Sequence, residues 1–130
     1  MTKKIMALLV VCLAFVATSS FAAQDVAVSM HQMAKSYRSV MKDETLKSVT
    51  ADLAKLHAAA IEARDGVPDF LQGKPADDPK RQLFRDGMNR FLKQVELAQE
   101  YAKEGDLNKA KEAAAKLDNL HHYYHKKLGV

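Results

Sequence analysis

From Val26 onward apolar residues recur at alternating spacings of four and three, which predicts a series of amphipathic helices, each with one buried seam. Val26, Met30, Met33, Tyr37 and Val40 make the first seam. After the charged break Lys42-Asp43-Glu44 the rhythm restarts with Leu46, Val49, Leu53, Leu56, Ala60 and Ala63, and Asp65-Gly66 closes this second helix. Residues 67–79 carry Pro68, Gly73, Pro75 and Pro79, so this stretch is expected to be one long connection without regular helix. A third helix starts near Pro79, because a first-turn proline gives up an amide that would have no partner anyway. Its seam reads Phe84, Met88, Phe91, Val95, Ala98 and Ala102, and Gly105 stops it. Asp106 is the expected N-cap of a fourth helix, with Leu107, Ala110, Ala114, Leu117, His121, Tyr124 and Leu128 on its seam.

Helices joined by two short connections and one longer one predict an all-α fold, an antiparallel up-down-up-down four-helix bundle. No strand pattern competes. In that topology the start of helix 1, the end of helix 2, the start of helix 3 and the end of helix 4 meet at one end of the bundle. Met30, Met33, Ala60, Phe84, Met88, His121, Tyr124 and His125 collect there, whereas Leu and Val dominate the seams elsewhere. That end is set apart by soft and aromatic side chains.

The chain has 130 residues, 48% of them hydrophobic and 28% charged, which suits one soluble domain and excludes both disorder and a polytopic membrane protein. Its first 22 residues read as a secretory signal: Lys3 and Lys4, an apolar run from Ile5 to Val16, and the small-residue frame Ser20-Phe21-Ala22. The expected product is a periplasmic domain spanning residues 23–130, with no stable membrane anchor, since no later run is long enough to span a bilayer. Of the formal net charge of +4, Lys3 and Lys4 supply two, so the basic balance partly leaves with the signal and nucleic acid is not an expected partner. Cys12, the single cysteine, leaves too. The exported domain therefore has neither a disulfide nor a thiolate metal site.

Neutral imidazole and thioether are both metal ligands, and thioether is soft enough to select iron or copper over magnesium or calcium. Met30, early in helix 1, and His125, near the end of helix 4, face each other across an antiparallel core. With Phe84 and Met88 between them and Gly87 thinning the backbone, they describe a slot for a flat apolar disc, and haem b fits such a slot. Iron held by both residues has its axial positions filled, which suits electron transfer and leaves no open place for oxygen chemistry. Ordinary readings stand beside this one. A seam methionine is usually core filler, Met33 offers a second thioether one turn further in, and His125 beside Lys126 and Lys127 can be a solvated helix end. A different rival is a haem-free bundle that clamps a transition-metal ion between His121 and His125, four residues apart on one helix. No glutamate completes an H-E-x-x-H pattern there, and neither a Ser-His-Asp spacing nor a glycine-rich phosphate loop supports a hydrolase or kinase. His31 and His57 lie off the seams and are assigned no role.

Four segments together resemble the periplasmic cytochrome b562 family: Gln24-Asp25-Val26-Ala27-Val28-Ser29-Met30, Phe84-Arg85-Asp86-Gly87-Met88, Glu104-Gly105-Asp106 with Lys109-Ala110-Lys111-Glu112-Ala113, and Tyr124-His125-Lys126-Lys127. Their order and intervals match along the whole exported chain. The resemblance implies a soluble electron carrier rather than an enzyme, exchanging single electrons with redox partner proteins. It further implies one non-covalent haem b with Met30 and His125 as axial ligands, and with Phe84 packed on the haem face. Met33, Met88, His121 and Tyr124 are the other expected cofactor contacts. Two positions depart from the family pattern. Met88 stands where a second aromatic is usual, which keeps the contact apolar without ring stacking. His121 stands where the family commonly places arginine near the haem propionates, a weaker and pH-dependent cation. Relatives with covalently attached haem carry C-x-x-C-H at this place on helix 4, where this chain reads His121-His122-Tyr123-Tyr124-His125 without a thiol.

Overall fold

The computed structural model describes residues 25–130; the expected signal segment and the predicted cleavage point lie outside them. Four helices account for most of this span: α1 (Val26–Lys42), α2 (Leu46–Asp65), α3 (Pro79–Lys103) and α4 (Leu107–Leu128). There is no strand among the described residues. Each helix packs most extensively on a neighbour in sequence, α1 with α2 and α3 with α4 above all, while α1 and α4 meet along a narrower strip. The result is the all-α four-helix bundle expected from the seams.

Helix starts are fixed by side chains that take up otherwise unpaired first-turn amides. The Asp25 carboxylate accepts from the Ala27 amide at 3.0 Å, Thr45 from Ser48 at 3.1 Å, Asp78 from Lys80 at 2.9 Å and Asp106 from Lys109 at 2.9 Å. Pro79 occupies the first turn of α3. At the other end of α4, Gly129 adopts a left-handed φ of 76°, which bends the chain back so that the His125 carbonyl accepts from both Gly129 N at 2.9 Å and Val130 N at 3.1 Å. His125 therefore sits on a turn that is tied at its carbonyl.

The core follows the predicted seams with a few changes. Val40, Val49, Leu53, Leu56, Val95 and Leu117 are fully buried. On α3, Leu92 is buried and Phe91 only partly so, because spacings of four then three fit the seam as well as three then four. Ser29 and Ser36 are buried on α1, small enough to let it lie close to its neighbours; the Ser29 hydroxyl reaches Glu62 on α2 at 3.5 Å. The long connection is not featureless. Asp69–Leu71 forms one 3₁₀ turn, anchored by a completely buried Leu71 and closed by the Gln72 side-chain amide donating to the Val67 carbonyl at 2.8 Å. His57, expected to be an ordinary surface residue, is half-buried and pairs with Glu96 of α3 at 3.4 Å.

At the end of the bundle opposite Met30 and His125, Lys111 Nζ donates to the Asp43 carbonyl at 2.7 Å and ties α4 to the α1–α2 turn. One oxygen of the Asp43 carboxylate is buried without a hydrogen-bond partner. Burial and then the neighbouring Asp52 push this carboxyl up to about 6, only partly opposed by Lys111 and Lys55.

Candidate cofactor site

A cavity of about 300 Å³ opens at the end of the bundle where α1 begins and α4 ends. All seven of the side chains singled out from the sequence line it: Met30 and Met33 from α1, Phe84 and Met88 from α3, and His121, Tyr124 and His125 from α4. Ala60, grouped with them on topology, does not; it is buried in the core, and α2 gives the cavity no wall. Three faces of the bundle therefore close around the space, and the fourth side is supplied by the long connection.

That side was not foreseen. Pro68, Asp69 and Phe70 border the cavity because the buried Leu71 pins the 3₁₀ turn down beside the start of α1. Phe70 itself stays 42% exposed at the rim. The available signal was the apolar pair Phe70-Leu71 inside an otherwise polar, proline-rich stretch. Phe91 and Leu120 extend the apolar wall, and Val130 borders it from beyond the α4 cap.

Gly87 shapes the floor. A Cβ at this position would meet Cγ and Cδ1 of Tyr124 at 2.8 Å, so α3 and the Tyr124 ring approach as closely as they do only because no side chain intervenes. Tyr124 precedes His125, and its seat against α3 sets how far the end of α4 leans over the cavity. Met33, Phe84 and Met88 are buried, Met30 and His125 half-buried, and His121 exposed at the margin. His121 was expected on the buried seam; the helices part around the cavity at this level, which leaves its ring in solvent.

The donor set suits a soft metal centre in an apolar setting. Imidazole must be neutral to bind iron. Burial holds His125 below the ordinary histidine range, and the positive charge that His121 and His122 carry when protonated pushes the same way. The His121 and His125 rings are in contact, with centroids 3.9 Å apart and planes tilted by 60°. The thioethers of Met30 and Met33 come from α1, on the other side of the cavity, and the remaining walls are chiefly aliphatic and aromatic. An apolar disc with a metal at its centre fits these residues: ligand atoms at the walls, flat apolar contact from Phe84 and Met88, and a polar margin at His121.

Comparison with known proteins agrees. The family model of cytochrome b562 matches residues 25–128. The chain is 34% identical over 128 residues to the probable soluble cytochrome b562 2 of Yersinia pestis, with 98% of each chain covered. It is 29% identical over 79 residues to the probable soluble cytochrome b562 1 of the same organism, covering 61% of this chain and 62% of that one. Only Cys12 carries a thiol, so residues 25–130 have no means of attaching a haem covalently. With its helices, cavity and family match in agreement, this chain belongs to the cytochrome b562 family, whose members are haem b electron carriers and not enzymes.

Proposed function

We propose that this protein is a periplasmic single-electron carrier whose non-covalent haem b is held between Met30 and His125. The observation that carries the reading is the placement of a thioether donor on α1 and an imidazole donor on α4, lining one apolar cavity from different sides. When bound, haem b supplies an iron centre that changes oxidation state by one electron. The chain's own residues hold and tune it. His125, on a capped turn, would be the stronger ligand and Met30 the softer one, which would favour the ferrous state; Phe84 and Met88 would exclude water from the cofactor. His121 sits at the margin, where the anionic propionates would lie nearest to solvent. Export is supported by the signal anatomy of residues 1–22, and among the described residues no helix is long and apolar enough to cross a membrane. The exposed Phe70 and Val130 beside the cavity mouth give redox partner proteins an apolar approach to the cofactor edge.

The test is to express the full chain in a bacterium, purify it from the periplasmic fraction, and record its intact mass and spectrum. A chain starting at Ala23, a sharp Soret band and narrow visible bands on reduction are expected, with weak binding of carbon monoxide to the ferrous form because both axial places are filled. A colourless protein overturns the haem reading. A mass that retains Lys3 and Lys4 overturns export.

A further inference from the structure

Beside His121 at the cavity margin, the outward face of α4 carries two metal-binding side chains, Asp118 and His122, that do not line the cavity. Asp118, His121 and His122 stand at spacings of three and four along one helical turn, and a ligand atom from each lies within 4.8 Å of the other two. Two are already engaged: His122 Nε2 is 3.4 Å from Asp118 Oδ1. The His121 and His122 rings lie with centroids 5.3 Å apart. His125 is not a member of this group.

We propose that Asp118, His121 and His122 form a surface site for one divalent transition-metal ion, filled by copper(II) in preference to nickel(II) or zinc(II). Two imidazoles and one carboxylate, with no thiolate, are the donor set of these ions; calcium and magnesium need several oxygens, and this group offers one carboxylate. Metal bonds of about 2.0–2.2 Å bring ligand atoms somewhat closer together than they stand here. All three side chains are exposed, so small side-chain rotations can close that gap, with water completing the coordination. Exposure also means that no buried charge has to be stripped of water when the ion arrives. Among ions competing for one such N/O site, the general order of stability places copper(II) first. The site is distinct from the pair His121 and His125 considered from sequence alone. It takes its second imidazole from the solvent side of α4, and neither Asp118 nor His122 lines the cavity.

The protein purified with its cofactor is titrated with copper(II) chloride alone in a non-coordinating buffer, followed by calorimetry and by electron paramagnetic resonance of the copper. One copper per chain with two coupled nitrogens is expected, bound at least tenfold more tightly than zinc(II). His122→Ala weakens copper binding at least tenfold and Asp118→Asn at least threefold, while the visible spectrum of the cofactor is unchanged in both. His31→Ala, a histidine elsewhere on the surface, leaves copper affinity as it was. Unaltered affinity in His122→Ala overturns the proposal and covers two cases: copper held by His121 with His125, or copper held by the chain terminus. Loss of copper in His31→Ala overturns it as well. Because Asp118 and His122 stand outside the cavity, the same titration decides the question on protein that proves to contain no haem.

Discussion

Tyr124 of α4 rests directly on the α3 backbone at Gly87, where a Cβ would stand 2.8 Å from the ring. A glycine in a helix interior ordinarily costs about 1 kcal/mol relative to alanine, so Gly87 is retained against helix propensity. Overpacking of a close contact costs about 1–3 kcal/mol, which offsets the propensity gain. Gly87→Ala is therefore expected to lower the stability of the haem-free protein by no more than about 2 kcal/mol. By displacing Tyr124 and the turn that bears His125, it should weaken haem binding tenfold or more. Calorimetry of the haem-free protein and a haem titration followed at the Soret band separate the two effects.

The two thioethers on α1 are distinguishable by spectrum. Met30→Ala is expected to give a cofactor with high-spin or water-ligated character and a lower reduction potential, because thioether ligation favours ferrous iron. Met33→Ala leaves the low-spin spectrum in place and costs stability instead, about 2–5 kcal/mol for a buried methionine cut to alanine. His125→Ala abolishes or greatly weakens haem retention. An unchanged low-spin spectrum in Met30→Ala, with loss of it in Met33→Ala, would exchange the two assignments.

Asp43 predicts a pH dependence at the far end of the bundle. Its folded carboxyl is raised to about 6 from an ordinary value of 3.8, so the fold disfavours the ionised form. The penalty is absent below the ordinary value and complete above the raised one; stability contributed by this group is therefore lost as pH rises from about 4 to about 6. Asp43→Asn removes the charge and keeps the backbone carbonyl that Lys111 uses. Solvent screening of this partly exposed group leaves about half a kcal/mol of the effect, so its melting temperature is expected to exceed that of the wild type by roughly 3 °C at pH 8 and to match it near pH 4. Thermal melts across that range read the difference directly.

Leu71 holds the loop that borders the cavity. Leu71→Ala is expected to cost about 2–5 kcal/mol of stability and to free the 3₁₀ turn, so that haem dissociates faster while its spectrum when bound stays low-spin. A transfer assay to a haem acceptor measures the dissociation rate.

Helix positions were legible in the sequence because start and stop signals agreed with the seams: Pro79 opens α3, Gly66 follows α2, and Asp106 caps α4 where its carboxylate was expected. The seams alone could not choose Leu92 over Phe91, since both satisfy a helical period and only the neighbouring helices decide which points inward. The seven cavity residues were legible for a topological reason: antiparallel order forces the start of α1 and the end of α4 to one end. Pro68, Asp69 and Phe70 were hidden because proline and glycine composition marks a loop without saying where it folds back. His121 had seam spacing but not seam burial, because helical period describes a closed bundle and the bundle is parted at that level.

Since α2 lends no wall to the cavity, a cofactor seated there would be clasped by residues near the two ends of the described chain, with α3 and the loop between them. A non-covalent group gripped by both Met30 and His125 would bind the folded chain and not the unfolded one, so it would stabilise the fold by mass action and most of all where it touches. The α2 interior, packed by Leu53 and Leu56 and remote from that clasp, needs no such help. Amide hydrogen exchange should therefore report two zones in the emptied protein: slow exchange through α2 and the mid-section of α3, and rapid exchange in the first turns of α1 and the last turns of α4. Loading the cofactor would erase that boundary by slowing the termini alone.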